Sequence, residues 1–462
     1  MADIFFVMNQ FLAIKNHSEV IKSMKNNSSK DLTRMYLSEI KLTNFRSFRE
    51  TETKLSEIVI FIGRNGEGKS NLLEAIRFLR TIATFGIDAG IQTVGGAKYF
   101  ARLEGNQPQF PVNVSFRVDF DPPLHFPQDP TTSLDAATYT LTIKNPNNTH
   151  NNGVSLNYVW EETITLENVQ TRDSADTSPI RIIVSQSSND PDAPAQVLSE
   201  SLVRTSSHDK LLSKLFPTDQ RVWINHQWGS NRPVQISLLQ SVQTSPLNFW
   251  LSANVFFFDP DPNQAKRIID PIGLLTLTED GNNLAEVIRA LEPNQIEQLN
   301  TYCRTLFPRI LGIEPMDLGD GRWTWSLREQ NGNTFPARFL SPGMVRGIIL
   351  LVALVQATGS ACLILEEPER FLDPSLLAPL MAIIQDVVKT QKCQVIFTTQ
   401  SPEILAHVNV DRVYWIRRDD EWSVINHPAT DERLRDWVQD LGIANLYIDD
   451  FIDTVVKERP RE

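Results

Sequence analysis

The chain of 462 residues carries a net charge of −12, with 41% hydrophobic and 22% charged residues. Those proportions are typical of a soluble globular protein, and the length allows one large domain or two to three ordinary ones. The negative balance excludes a chain-wide attraction to nucleic acid or to anionic membranes, so any contact with DNA requires a local basic groove.

Residues 1–34 are predicted to form a disordered extension, because residues 22–30 are polar and turn-forming. Organised sequence begins at Met35, which is a second candidate for the initiating methionine. From there residues 36–45 alternate apolar and polar side chains as a half-buried strand does, and the apolar run at 58–62 predicts a buried strand. Residues 35–120 are therefore assigned to the first lobe of the folded part.

A glycine-rich stretch, GRNGEGKS at residues 63–70, follows that strand and precedes a segment with helical periodicity. This order of strand, loop and helix predicts a P-loop, against the alternative of a chance match on a surface loop. Backbone N–H groups in such a loop and the positive end of the helix bind a polyphosphate. We expect Lys69 to reach the β- and γ-phosphates of a nucleotide and the Ser70 hydroxyl to ligate Mg²⁺.

Residues 121–248 are predicted to be a β-rich insertion, because the segment is rich in Asn, Pro, Ser and Thr between short alternating runs. An amphipathic helix is predicted near 209–216. Sustained heptads do not occur in the sequence, which argues against a long coiled-coil arm. Strands in and before this region are predicted at residues 110–120, 138–143, 154–160 and 180–184.

Residues 249–445 are assigned to a second lobe, followed by a tail at 446–462. Strands are predicted at residues 254–258, 323–327, 336–339, 361–365, 394–399, 411–418 and 421–426. Helices are predicted at residues 284–292, 294–307, 344–356 and 374–390, with an acidic helix near the end. Helices alternating with continuous apolar strands predict an α/β fold with a parallel sheet covered on both faces, which binds ligands at the carboxyl ends of its strands.

Two adjacent carboxylates, Glu366 and Glu367, end the apolar strand at 361–365. Beside a P-loop, one carboxylate is expected to orient Mg²⁺ and the next to polarise the attacking water. We assign Glu366 to the metal and Glu367 to general-base catalysis. Taken alone, the pair would be a weak signal, because solvent-facing acidic turns are common after strands.

Ser341 and Gly343 precede the apolar helix at 344–356. A hydroxyl and free N–H groups at a helix start bind an anion, although an ordinary helix cap has the same composition. The P-loop already binds its own nucleotide. A second anion site directly before the acidic strand therefore predicts a γ-phosphate that is shared across a dimer.

Three cysteines, Cys303, Cys362 and Cys393, lie far apart and form no C-x-x-C pair. This spacing argues against a zinc hook or a disulfide framework and predicts buried thiols in a reducing cytoplasm. The longest apolar run, near 347–355, is too short to span a bilayer. The N-terminal apolar stretch lacks a basic leader and a cleavage site, so a cytoplasmic protein with no membrane partner is predicted.

Together the motifs resemble the ABC-type ATPase heads of the RecF/SMC-like group, within the AAA-type ATP-binding families, and the ATPase parts of overcoming-lysogenization-defect nucleases and phage-defence systems. The resemblance runs from residue 35 to about 445, is weakest between 120 and 245, and is specific for the ATPase clade rather than for a biological role. It rests on IKLTNFRSF (40–48), GRNGEGKSNLLEAI (63–76), FFDPDP (257–262), EDGNNLAEVIRAL (279–291), FLSPGMVR (339–346), LILEEPERFLDP (363–374) and VIFTTQSPEIL (395–405).

The resemblance implies a P-loop NTPase with an ABC-ATPase-like head, whose mixed or parallel core sheet is covered by helices. Such a head binds ATP and Mg²⁺, with Glu366 as the Walker B acid and Glu367 as the catalytic glutamate. Ser341 and Gly343 would belong to the signature motif that completes the partner's site, and Asp373 to a loop that crosses the dimer interface. The remaining nucleotide-binding residues would be Gly63, Asn65, Gly66, Gly68, Lys69, Ser70, Asn71 and Arg46.

The sequence departs from the family pattern at three points. Family members usually have histidine where this chain has Gln400, which can hydrogen-bond to a γ-phosphate but cannot carry a proton, so slow turnover is expected. The signature reads SPGM, where transporter ATPases prefer a second glycine and a glutamine. For the glutamine of the Q-loop, Gln92 is the candidate.

The main functional hypothesis is a homodimer that closes around two ATP molecules and controls DNA or a companion effector, in DNA repair or anti-phage defence. A scaffold that holds ATP with little turnover is the alternative that Gln400 motivates. A transporter nucleotide-binding subunit is disfavoured by the NFRSF opening and by the β-rich insertion. The residues after Gln400 are too few for an appended nuclease domain, so we expect any nuclease activity to come from a separate protein.

Overall fold

The computed structural model describes residues 34–126, 129–144, 159–167, 180–185, 196–201, 246–268, 273–357, 359–419 and 421–448. The predicted extension before residue 34, the helix predicted near 209–216 and most of the predicted tail lie outside these ranges.

The described strands are, in chain order, β1 (Arg34–Phe45), β2 (Phe48–Lys54), β3 (Ile58–Ile62), β4 (Leu103–Glu104), β5 (Gln107–Pro108), β6 (Val112–Phe126), β7 (Asp129–Lys144), β8 (Val159–Glu167), β9 (Ile180–Ser185), β10 (Gln196–Ser201), β11 (Val255–Phe258), β12 (Ile310–Asp317), β13 (Trp323–Glu329), β14 (Thr334–Pro336), β15 (Cys362–Glu366), β16 (Gln394–Thr399), β17 (Val413–Asp419) and β18 (Trp422–Asn426).

The described α-helices are, in the same order, α1 (Lys69–Phe85), α2 (Ile87–Thr93), α3 (Ala97–Phe100), α4 (Pro246–Ala253), α5 (Pro262–Ala265), α6 (Leu284–Ala290), α7 (Pro293–Leu306), α8 (Pro342–Gln356), α9 (Leu377–Gln391), α10 (Pro402–Leu405), α11 (Glu432–Leu441) and α12 (Ile443–Ile448). Short 3₁₀ turns occupy Ala337–Phe339, Pro374–Leu376 and Val410–Arg412.

Five parallel strands form one end of a large mixed sheet, in the spatial order β17, β3, β16, β15 and β11. Their apolar sequence follows from burial on both faces. Along β3 the side chains of Ile58, Ile60 and Ile62 pack into one hydrophobic cluster, and those of Val59 and Phe61 pack into the cluster on the other face. The predicted α/β fold with a covered parallel sheet is confirmed for these strands.

The rest of the sheet is largely antiparallel, so the sheet as a whole is mixed, which agrees with the predicted mixed or parallel core sheet. Beyond β17 the order is β18, β2, β1, β6, β7, β8, β9 and β10, with antiparallel pairing except between β18 and β2. Strands from the predicted insertion therefore extend the same sheet as the P-loop strand. Among the residues that the structure describes, these strands carry no coiled-coil arm.

Several described elements differ from the sequence-based expectation, among them β2, β12 and residues 337–339. Strand β2 is not predicted by its pattern, because two of its three buried positions are threonines, Thr51 and Thr53, rather than apolar residues. Strand β12 is not predicted either, because it contains Gly312 and Pro315, which usually interrupt strands. Residues 337–339 are expected in a strand but form a 3₁₀ turn directly after β14.

Helix α8 is buried all round, since every residue from 345 to 355 is buried. A helix that is apolar on all sides is expected in such a place.

Cys303, Cys362 and Cys393 are buried free thiols, as predicted, and burial raises the pKa of Cys393 to about 11. Among the described helices, none is long and apolar enough to cross a membrane.

The buried side chain of Gln394 ties β16 to the chain that leads into the P-loop strand. Its Oε1 accepts from Leu37 N at 2.9 Å, and its Nε2 donates to the carbonyl oxygens of Leu37 and Ser56, each at 2.8 Å. Buried polar groups of the backbone need such partners, because a buried group without a hydrogen bond loses the free energy of its hydration and gains nothing in return.

We predict that Gln394→Leu lowers the free energy of unfolding by about 2–4 kcal/mol, because three backbone groups lose their partner inside the protein. Urea unfolding followed by circular dichroism measures the change. The matched control is Gln330→Leu, which removes an exposed glutamine with one hydrogen bond to Pro308 O; it should change the stability by less than about 0.5 kcal/mol. Equal effects of the two variants would contradict the prediction.

Candidate functional site

The parallel register places three loops side by side at the carboxyl edge of the sheet. Thr399 at the end of β16 is paired with Ile62 at the end of β3, and Glu366 at the end of β15 is paired with Thr398. The P-loop follows β3, Gln400 follows β16 and Glu367 follows β15. Residues that are hundreds of positions apart in the sequence therefore meet at one edge.

The P-loop runs from β3 into the N-terminus of α1, with Gly68 as the capping residue. Gly68 has φ of 113°, and a β-carbon there would lie 2.5 Å from Ser423 Oγ and 2.8 Å from Ser47 Oγ. Both the backbone conformation and the space therefore require glycine at this position.

Lys69 is buried, and its Nζ donates to the carbonyl oxygens of Gly63 at 2.6 Å and Arg64 at 2.9 Å. Burial lowers the pKa of Lys69, and the carboxylate of Glu367 opposes this effect. The ammonium group thus lies inside the loop that the sequence predicts to bind phosphate.

The turn between β1 and β2 supports the start of α1, an arrangement that the sequence motifs do not indicate. Asn71 Nδ2 donates to Ser47 Oγ at 2.8 Å, and Ser423 Oγ donates to the carbonyl oxygen of Glu67 at 2.5 Å. Arg46 donates to Asn71 Oδ1 at 3.4 Å and forms an ion pair of 3.6 Å with Glu74. Arg46 and Asn71 thus lie beside the first turns of α1.

Ser70 and Glu366 meet directly, because Ser70 Oγ donates to Glu366 Oε1 at 2.7 Å. A hydroxyl and a carboxylate are hard oxygen ligands of the kind that Mg²⁺ takes beside nucleotide phosphates. Their position at the mouth of the P-loop fits the metal that the P-loop family implies. When bound there, Mg²⁺ would neutralise charge on the phosphates.

Glu367 and Gln400 also meet. Gln400 Nε2 donates to Glu367 Oε1 and, at 2.9 Å, to Oδ1 of the P-loop residue Asn65. Glu367 has a left-handed backbone with φ of 45°, and its N–H donates to the Thr398 carbonyl at 3.1 Å. One amide thus connects the second carboxylate to the P-loop.

Glu369, two residues further on, supports the chain that carries Gln400. Its Oε1 accepts from Thr399 Oγ1 at 2.7 Å and from the backbone N–H of Gln400 at 3.2 Å. Burial raises the pKa of Glu369, and these hydrogen bonds oppose the rise. The sequence signal for this residue is the third acid of the Glu-Glu-Pro-Glu run, to which the motifs assign no role.

Arg346 approaches the acidic turn from inside α8. Its Nη2 donates to the carbonyl oxygens of Glu366 at 2.9 Å and Glu367 at 3.0 Å, and its Nη1 donates to the Pro260 carbonyl at 2.7 Å. This residue is not among those predicted from the sequence. Its signal there is a single cation inside a strongly apolar helix.

The SPGM segment lies on the surface at the N-terminus of α8. Ser341 is exposed and caps the helix, since its Oγ accepts from Met344 N at 3.2 Å. A β-carbon on Gly343 would overlap the carbonyl oxygen of Phe371. Ser341, Gly343, Phe371 and Asp373 share a surface depression of about 450 Å³.

The structure does not join all the predicted residues into one cluster within a single chain. In the described part of the chain, no hydrogen bond or ion pair links Ser341 or Gly343 to residues 63–70. Gln92 is exposed on α2, with no side-chain hydrogen bond to the site among the described residues. The P-loop, the acidic turn and Gln400 are together, whereas the signature surface is separate.

Comparisons with known proteins agree with this arrangement of motifs. The model of the family described as "AAA domain, putative AbiEii toxin, Type IV TA system" matches residues 58–406. The DNA replication and repair protein RecF of Lactobacillus gasseri is 37% identical over 87 residues, which are 18% of this chain and 23% of that protein. RecF of Leptospira biflexa is 50% identical over 52 residues, which are 11% of this chain and 14% of that protein.

The matched segments span less than a quarter of the length of these relatives. Among solved structures, the SMC head domain from Thermotoga maritima aligns with a TM-score of 0.42 at 15% identity, over 85% of this chain and 98% of that one. The family match covers most of the chain and confirms the resemblance to ATPases of the RecF/SMC-like group. The chain therefore belongs to the family described as "AAA domain, putative AbiEii toxin, Type IV TA system".

Proposed function

We propose that this protein is an ATP-driven switch, in which two copies close around two ATP molecules and reopen after hydrolysis. The observation that carries the proposal is the meeting of Ser70 with Glu366 and of Glu367 with Gln400 at the mouth of the P-loop. One chain thus brings together the phosphate-binding P-loop, a metal-binding pair in Ser70 and Glu366, and a candidate base in Glu367.

Within one copy, Lys69 and the backbone N–H groups of the P-loop would bind the β- and γ-phosphates. Ser70 and Glu366 would hold Mg²⁺. Glu367 would accept a proton from the attacking water, and Gln400 would orient the γ-phosphate or the water through its amide, since an amide cannot exchange a proton.

The second copy would complete the site through Ser341 and Gly343. Both lie at the surface at the N-terminus of α8, where the backbone N–H of Gly343 and the helix dipole favour an anion. The separation of this surface from the P-loop of its own chain is what a composite site requires. Asp373 borders the same depression and would contact the partner copy.

A second candidate function is an ATP-binding scaffold with little turnover. Gln400 favours it, because its amide occupies Glu367 Oε1 in place of a group that could carry a proton. Membership of an AAA-domain family does not favour the third hypothesis, a transporter subunit.

The process that the switch serves is proposed from its relatives. The similar proteins are named for DNA replication and repair, and the family description names a toxin of a toxin–antitoxin system. We therefore propose that the closed dimer acts in the cytoplasm on DNA or on a separate effector protein, in repair or in defence against phage.

Ser341→Arg should leave ATP binding by the isolated chain unchanged and abolish ATP turnover, because the long cation blocks only the surface offered to the partner's phosphate. Binding of a fluorescent ATP analogue and release of phosphate measure the two effects. Arg338→Met, which changes an exposed residue before the signature, is the control and should keep turnover. A Ser341→Arg protein with normal turnover would contradict the composite site.

Ser70→Ala and Glu366→Gln should each weaken ATP binding about tenfold in the presence of Mg²⁺ and change it little in EDTA, because each removes one oxygen ligand. Titration calorimetry in both buffers measures this difference. Ser56→Ala, at the opposite end of β3, is the matched control. If ATP binding weakens equally with and without Mg²⁺, Ser70 and Glu366 contact the nucleotide directly or support folding, and they do not bind the metal.

Gln400→His should raise the rate of ATP hydrolysis by at least about tenfold, because an imidazole can transfer a proton beside Glu367. The control is Gln400→Asn, which keeps an amide and should not accelerate the reaction. Rapid ATP turnover by the wild-type protein, with no acceleration in Gln400→His, would contradict both the proposed effect of Gln400 and the scaffold alternative.

A further inference from the structure

Arg346 is a single cation within the apolar stretch of α8. Its side chain is buried, and the guanidinium reaches the ends of two neighbouring strands: Pro260 O after β11, and Glu366 O and Glu367 O at the end of β15. It also lies 3.5 Å from the carboxylate of Asp259, which is half exposed. All of these partners except the Asp259 carboxylate are backbone carbonyl oxygens.

A buried guanidinium of this kind is costly for the fold. Burial lowers the pKa of Arg346, and the nearby Asp259 carboxylate opposes this effect. Arg346 Nε is buried without a hydrogen-bond partner in the described part of the chain. A well-packed apolar side chain often serves stability as well as a buried ion does, so a buried arginine with an unpaired nitrogen calls for a reason other than stability.

The geometry of the turn supplies that reason. Glu367 has φ of 45°, which is a left-handed backbone conformation. Residues other than glycine adopt it at a cost in free energy and only where their surroundings enforce it. The peptide units on either side of Glu367 carry the carbonyl groups of Glu366 and Glu367. Arg346 Nη2 donates to both of these carbonyl oxygens. Arg346 thus contacts the backbone whose conformation aims the Glu367 side chain at Gln400.

We propose that Arg346 is a positioning residue that holds the Glu366–Glu367 turn in its strained conformation and attaches it to the signature helix. The proposal rests on the proposed function of Glu367 as the base. Arg346 itself touches neither substrate nor metal and acts through the backbone of the two glutamates.

The attachment has a consequence for the two ATP sites of a dimer. Ser341 caps the same helix that carries Arg346, about one and a half turns away. A helix moves as a rigid element, so a displacement of its N-terminus by the partner's nucleotide would be transmitted to the Glu367 turn of the same chain. Arg346 therefore couples the surface that serves one site to the carboxylate that serves the other.

The test compares Arg346→Met and Arg346→Lys with Arg304→Met, an arginine on α7 that also donates to a backbone carbonyl, Leu311 O. In Arg346→Met, ATP binding should persist while kcat falls about ten- to a hundredfold, as expected when a reacting group is misplaced. Arg346→Lys should fall between the wild type and Arg346→Met, because one ammonium cannot reproduce the planar fork. Arg304→Met should keep the wild-type kcat.

Hydrogen–deuterium exchange gives a readout that does not depend on activity. In both Arg346 variants the amide of Glu367, which donates to Thr398 O, should exchange faster than in the wild type, while the amides of α1 keep their protection. Unchanged exchange at residues 366–369 would overturn the proposal whether or not the protein hydrolyses ATP. An unchanged kcat in Arg346→Met would also overturn the proposal. If Arg346→Met does not fold, an unchanged kcat in Arg346→Lys would do the same. A wild-type protein without turnover whose variants show the exchange change would instead contradict the proposed function of Glu367.

Discussion

The register of three parallel strands is the constraint on which the site depends. Because β15, β16 and β3 are adjacent and end together, the segments after them deliver Glu366 and Glu367, Gln400 and the P-loop to one edge of the sheet. A shift of β16 by one residue would exchange the faces of its side chains and move Gln400 away from both neighbours. The apolar burial of these strands on both faces opposes such a shift, so the geometry of the candidate site is maintained by the packing of the hydrophobic core.

Backbone strain is concentrated around this edge. In the described part of the chain, five residues other than glycine have positive φ, and four of them lie near the predicted motifs: Asn44, Arg46, Glu367 and Phe371. Asn44 lies near the end of β1, and Arg46 lies in the turn that supports α1. Glu367 follows β15, and the carbonyl group of Phe371 packs against Gly343. Such conformations persist where the surroundings enforce them and are common at active sites. Four of the five positive-φ residues thus lie at or beside the candidate site and the SPGM surface.

The sequence is informative where chemistry and periodicity coincide. The P-loop, the apolar strands at 58–62 and 394–399 and the acids after 361–365 are all placed correctly, because each combines a motif with a continuous apolar run. It is less informative where polar residues are buried. The threonine-lined strand β2 and the guanidinium of Arg346 depend on tertiary partners, Glu366 O among them, that local patterns do not encode. The antiparallel extension of the sheet could not be foreseen either, since alternating strands in an insertion look alike whether they form a separate layer or join an existing sheet.

In the proposed switch, ATP rather than ADP brings two copies together. The most direct measurement is the molecular mass of the Glu367→Gln protein in solution with Mg²⁺ and either nucleotide, by sedimentation velocity, because this variant should bind ATP without consuming it. We expect the mass of a dimer with ATP and that of a monomer with ADP. The same mass with both nucleotides, at protein concentrations where ATP binding is saturated, would contradict the proposed switch.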